Sequence, residues 1–216
     1  NPLEVYGQLA PAFGDFDRSG ALDVVAGEFW NILMIARGTG DGNFAALDVV
    51  RDGDDAPLEL DHCIHLPCVV DWDGDGNLDI LVGAEDGYIN YIRNSGQLVD
   101  GLPRFEKMGR VTTQAPIVHA SVLPSPAAHD FNGNGRADLV VGNCTGELLF
   151  YPVMGPATEP TLGLESKLTA DGQEILVSAG LHGSIQGPSE KMFGYTCPTV
   201  ADWDGDGLAD VLMSDV

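Results

Sequence analysis

The chain is short of positive charge. Among its 216 residues, 10 Lys and Arg stand against 33 Asp and Glu, a formal net charge of -23. So few cations cannot assemble a basic stripe along a phosphate backbone, which excludes a nucleic-acid partner. Long apolar runs are missing as well. No stretch of about 18 uninterrupted apolar residues occurs, so no segment reads as a membrane-crossing helix. No segment keeps a 3.6-residue apolar period over a useful length, which removes helices from the expected fold. Cysteine is sparse: Cys63, Cys68, Cys144 and Cys197 allow three pairings and outline no disulfide framework. The chain opens on Asn1-Pro2-Leu3-Glu4, neither a start methionine nor a signal peptide, and is expected to be a processed piece.

What the chain does have is one acidic nonapeptide written four times. The copies are Asp15-Phe-Asp17-Arg-Ser19-Gly20-Ala21-Leu-Asp23, Asp71-Trp-Asp73-Gly-Asp75-Gly76-Asn77-Leu-Asp79, Asp130-Phe-Asn132-Gly-Asn134-Gly135-Arg136-Ala-Asp138 and Asp202-Trp-Asp204-Gly-Asp206-Gly207-Leu208-Ala-Asp210. Hard cations such as Ca2+ take six to eight oxygens in a flexible cage. Positions 1, 3, 5 and 9 supply side-chain oxygens. Position 7 would supply a backbone carbonyl, which leaves its side chain free to vary, and Ala21, Asn77, Arg136 and Leu208 are unrelated. Position 6 is always Gly, where the chain has to turn sharply. The pattern is like the start of an EF-hand loop, but it lacks the twelfth-position Glu and no helix flanks it. The competing reading is an Asp/Asn/Gly-rich turn that needs no ion.

The loops differ in charge. The second and fourth carry four carboxylates each, the first carries three and the third two. Ligand charge helps set affinity, so the second and fourth are expected to bind tightest. Asp73→Ala or Asp204→Ala should then cost more than Asn132→Ala. Extracellular calcium sites are weak and fill where the ion is abundant, so a secreted or surface location is expected. The Asn143-Cys144-Thr145 sequon reads as a chance occurrence.

The repetition extends beyond the loops. They begin at 15, 71, 130 and 202, giving intervals of 56, 59 and 72 residues. An apolar strand such as Leu66–Val70 enters the loop and a second, Leu78–Gly83, leaves it. A turn at Glu85-Asp86-Gly87 follows, then an alternating strand Tyr88–Arg93. A turn at Asn94-Ser95-Gly96 leads to a last strand near Pro103–Met108. The second strands are continuous apolar runs (Val24-Val25-Ala26, Ile80-Leu81-Val82, Leu139-Val140-Val141), as expected of strands covered on both faces. Four short strands per repeat predict an all-β protein with the stacked four-stranded blades of a β-propeller.

With Phe13-Gly14 and Leu81-Val82-Gly83-Ala84 flanking its calcium loops, the repeat resembles the FG-GAP/VCBS repeat, known from the integrin α propeller and from secreted proteins that include polysaccharide lyases. The resemblance implies bound calcium and blades divided at about 1–51, 52–113, 114–180 and a truncated 181–216. About three and a half blades cannot close a ring of four to eight. The chain is therefore expected to be a single partial propeller domain, either half of a seven- or eight-bladed ring completed by the remaining blades or a half closed by self-association. The resemblance also implies calcium loops on one rim and ligands on the other, where Arg51–His65, Thr112–Pro124 and Ser178–Thr196 connect the blades.

Two functions follow as expectations. One is a calcium-stabilised binding module for a carbohydrate or an extracellular protein. The other is part of a polysaccharide lyase acting on uronate-containing glycans. Such elimination needs a base and a neutraliser for the uronate carboxylate. His119, His182, Lys191 and Tyr195 are of the right type, and ordinary loop positions are the competing reading. Asp61-His62-Cys63-Ile64-His65-Leu-Pro-Cys68 invites a zinc site, but alternation along a strand turns His62 from His65 and His65 from Cys68. The aromatics at position 2, Phe16, Trp72, Phe131 and Trp203, read as blade-packing anchors, with sugar stacking as the alternative.

Overall fold

Residues 10–113, 120–178, 180 and 193–214 are described in the structure, a computed structural model. Among them every regular element is a strand, and no helix is long and apolar enough to cross a membrane.

The first sheet joins β1 (Ala10–Gly14), β2 (Asp23–Gly27), β3 (Leu33–Ala36) and β4 (Asp48–Val49) in that order. The second contains β6 (Leu66–Val70), β7 (Asp79–Gly83), β8 (Ile89–Val99) and β9 (Leu102–Arg110), with the short β5 (Arg51–Asp52) added parallel to β9 at its outer edge. The third orders β10 (Ser125–His129), β11 (Asp138–Gly142), β12 (Leu148–Tyr151) and β15 (Ser166–Lys167). Two small hairpins accompany it, β13 (Val153–Met154) with β14 (Thr161–Leu162) and β16 (Thr169–Ala170) with β17 (Gln173–Glu174). The fourth unit is the hairpin of β18 (Cys197–Ala201) and β19 (Asp210–Ser214). Serial antiparallel sheets of this kind are those of a partial propeller.

The apolar runs are second strands, as expected. Every residue of β2, β7 and β11 is buried. Alternation then assigns their two faces. Ile80 and Val82 join Phe16, Val25, Leu33, Ile35 and Phe105 in a core between the first and second sheets. Leu81 turns the other way and joins Trp72, Leu139, Val141 and Tyr151 in a core between the second and third.

The sheets also meet through backbone. Gly27, Gly83 and Gly142 end β2, β7 and β11. A Cβ on any of them would overlap the carbonyl oxygen of the following unit: His65, Pro124 and Thr196 respectively. Each of these carbonyls lies two residues before a proline. Pro67, Pro126 and Pro198, with Pro11, take the second position of β6, β10, β18 and β1. These first strands are terminal in sheet order. Proline has no N–H to offer, so it suits an edge and blunts it against further pairing. Ser214 occupies the place of these glycines in β19.

The second sheet departs from expectation at Asn94-Ser95-Gly96. The strand does not turn there but continues to Val99 through a bulge. Asn94 holds the bulge by donating its side-chain amide to Leu78 O and accepting from the Gly96 N–H. The reversal comes at Asp100-Gly101, both with positive φ, the backbone of a tight primed hairpin turn. The turn at Glu85-Asp86-Gly87 is where it was expected.

Candidate metal loops

Each acidic loop connects the first and second strands of its unit and closes by the same local bonds. The position-1 carboxylate accepts the position-6 N–H in all four: Gly20 to Asp15, Gly76 to Asp71, Gly135 to Asp130 and Gly207 to Asp202, at 2.8, 3.0, 2.7 and 3.0 Å. The position-3 oxygen accepts the position-5 N–H, and the position-5 oxygen accepts the position-7 N–H. The position-6 glycines all have φ between 83 and 89°. Position 4 is left-handed as well, a demand the sequence pattern had not disclosed. Gly74, Gly133 and Gly205 meet it, and Arg18 does so with a side chain, at φ 58°.

The position-9 aspartates do more than face the loop. In the three larger units one carboxylate oxygen accepts the N–H of the residue fifteen positions on: Gly38 to Asp23, Asn94 to Asp79 and Val153 to Asp138, at 2.8, 2.7 and 2.7 Å. The other oxygen of Asp23, Asp79 and Asp210 accepts the position-2 N–H. In the third loop Asn132 Nδ2 takes that place against Asp138, and the Phe131 N–H goes to His129 O instead. Burial holds the Asp23 and Asp79 carboxyls above the ordinary carboxylate range, Asp79 at about 6.

Three loops gather carboxylate oxygens within 4.8 Å of one another: Asp15 with Asp17 and Asp23, Asp71 with Asp73 and Asp79, and Asp202 with Asp204 and Asp206. The third loop has only two carboxylates to offer. In the second loop Asp71 Oδ1 is buried without a hydrogen-bond partner. A buried unpaired anionic oxygen is costly unless a cation meets it. The donor set is all oxygen, the chemistry of a hard divalent ion.

The other expected sites fare differently. His119, His182 and Lys191 lie outside the described residues. Tyr195 is described, in the left-handed region at φ 46°, with its ring 6.0 Å from Phe193. It borders a cleft of about 960 Å³ lined by β1, β6, β10 and β18. The zinc candidates do not converge. His62 turns to Asp86 at 3.1 Å. His65 is buried, with neither ring nitrogen partnered in good geometry, and burial pushes its imidazole below the ordinary value. Cys68 lies in the core between the second and third sheets, its thiol pushed up to about 12 by burial. All four cysteines are free. The sequon asparagine is also sequestered: Asn143 is buried and bonded to Thr145, Glu147 and Thr196. Of the position-2 aromatics, Phe16 and Trp72 are buried and pack between units, Phe131 is half-buried, and Trp203 is 75% exposed.

The fold and loops define a class: an all-β protein of serial antiparallel sheets, with an acidic loop between the first two strands of each unit. Residues 71–141, one full loop-to-loop unit, match the model of the FG-GAP-like repeat, which places this stretch in the FG-GAP repeat family and the module among β-propeller-like ones. No curated protein matches the chain.

Proposed function

We propose that the protein is a calcium-stabilised propeller module with a binding role outside the cell. The ions fasten the first two strands of each unit, and a carbohydrate or protein ligand meets the opposite rim. The carrying observation is the buried, unpartnered Asp71 Oδ1 within an all-oxygen group of three aspartates. Asp15, Asp17, Ser19, Ala21 and Asp23 would hold an ion in the first loop, and Asp71, Asp73, Asp75, Asn77 and Asp79 in the second. Asp130, Asn132, Asn134, Arg136 and Asp138 would do so in the third, and Asp202, Asp204, Asp206, Leu208 and Asp210 in the fourth. Position 7 would contribute its backbone carbonyl.

Support for the binding rim comes from the β2–β3 connection, at the end of the sheet away from the acidic loop. There Phe29 and Trp30 form an exposed edge-to-face pair, 5.7 Å apart. Exposed aromatic faces of this kind stack on sugar rings.

Calcium at about 1 mM, the range of extracellular sites, is expected to raise the melting temperature of chelator-treated protein, because an ion that binds only the folded state stabilises it. Melting that ignores both calcium and chelator overturns the calcium reading. For the ligand, a panel of glycans titrated against native protein and Trp30→Ala checks the rim. Binding that survives the substitution unchanged removes Trp30 from it.

A further inference from the structure

Carboxylate count ranks the second and fourth loops together, yet their surroundings differ. Arg93, on β8, reaches across the second loop. Its Nε stands 3.0 Å from Asp73 Oδ2 and one terminal nitrogen 3.5 Å from Asp75 Oδ2, an ion pair rather than an aligned hydrogen bond at Nε. The other terminal nitrogen lies 3.7 Å from Glu106. A second guanidinium flanks the same loop: Arg18 donates to Gly76 O at 2.7 Å and to Asn77 Oδ1 at 2.9 Å. Among the described residues Asp202, Asp204 and Asp206 form no ion pair.

Arg93 follows its position-9 aspartate by fourteen residues. The equivalent residue of the first unit, Arg37, lies instead over Gly101 of the β8–β9 turn, where an added Cβ would strike it. In the third unit the position is Pro152, which carries no charge. The guanidinium on the carboxylates thus sets the second loop apart from the first and third.

We propose that Arg93 is a built-in competitor for the cation of the second loop. This rests on the calcium reading above. Without an ion the guanidinium neutralises Asp73 and Asp75, two of the oxygens the ion needs. A divalent ion placed between those carboxylates repels the guanidinium across a few ångströms. Arg93 has somewhere to go: it is 37% exposed, and Glu106 beside it is 52% exposed. Ion entry therefore requires the arginine to swing outward, and the loop fills later than its carboxylate count implies. The second loop becomes a calcium-threshold site, held closed by its own arginine when the ion is scarce.

Terbium luminescence sensitised by the position-2 tryptophans reads the two loops separately. Trp203→Phe leaves Trp72 to report the second loop, and Trp72→Phe leaves Trp203 to report the fourth. Phenylalanine already serves at this position in the other two loops. In the Trp203→Phe background Arg93→Gln is expected to tighten terbium binding, and calcium displacement of it, by about tenfold or more. Arg93→Lys, which keeps the charge, should stay close to the parent. Binding by Arg93→Gln that is unchanged or weaker, while the fourth loop still titrates, overturns the competitor role and makes Arg93 a positioning residue for Asp73. Silence at both loops in every variant overturns the calcium reading and this proposal with it.

Discussion

At the scale of single residues, the chain keeps several polar groups in places where only their neighbours make them tolerable. His65 is one. It is 2% exposed, its carbonyl sits over Gly27 of the first unit, and the residue borders the cleft between first strands. Burial lowers its pKa below 6.5. Backbone at Trp30 and His62 and the charge of Glu85 oppose that shift, and the His62 imidazole adds to it. In the unfolded chain the imidazole titrates near its ordinary value, about 6.5. Below that pH the unfolded state takes a proton that the folded state refuses, so stability is lost as pH falls from about 6.5 toward the folded value. The loss is at most about 1.4 kcal/mol for each pH unit between the two values. His65→Gln, neutral throughout, is expected to remove this slope. The check is the melting temperature in chelator at pH 7.5 and 5.5. Because the aspartates titrate alike in both proteins, the difference between them isolates His65. Parallel curves for native and variant protein would place the acid sensitivity elsewhere.

At the scale of elements, the junction between sheets is set by a glycine meeting a carbonyl. The β7 glycine has an ordinary φ, so conformational freedom is not why it is there. Only the missing Cβ lets Pro124 O approach. Gly83→Ala is therefore expected to push the third unit away from the second and to cost about 3 kcal/mol, the upper range of overpacking. Gly53→Ala, where nothing lies within 4 Å and φ is not positive, should change little. Urea unfolding followed by intrinsic fluorescence checks both, and a Gly83→Ala protein as stable as the native one would refute the junction model. Much at this scale was legible beforehand. The nonapeptides placed the first hairpin of every unit, and apolar runs against alternations separated doubly covered second strands from half-covered ones. Less legible was anything that depends on residues brought together from far along the chain. The Gly83 seat needs the position of Pro124, and the Arg93 pairing needs β8 folded against the loop. Asn94-Ser95-Gly96 had turn chemistry, but its hydrogen bonds to Leu78 and Asp79 made it a bulge. The edge prolines at 11, 67, 126 and 198 recur at the loop interval and could have been found from spacing alone.

At the scale of the whole molecule, charge and fold are in conflict. A net charge of -23 with 13 of 33 carboxylates held in four loops concentrates repulsion where the strands of each unit must join. Hydrogen bonds from loop amides to the position-1 and position-9 aspartates offset part of it, and Arg93 offsets part at the second loop. Calcium would act in two ways: by bonding to specific oxygens, and by lowering the total charge, to about -15 for four ions. Salt distinguishes them. Raising ionic strength from about 0.01 to 1 M shortens the screening length from about 30 to 3 Å, which quiets repulsion between loops but leaves ligand bonds inside a loop largely untouched. In chelator, salt is therefore expected to raise the melting temperature and recover part of the loss caused by calcium removal. In saturating calcium the same change should do less, since the ions have already removed the charge. Equal salt responses with and without calcium would mean that the ions stabilise through coordination alone, and that self-repulsion between units contributes little to the instability of the metal-free fold.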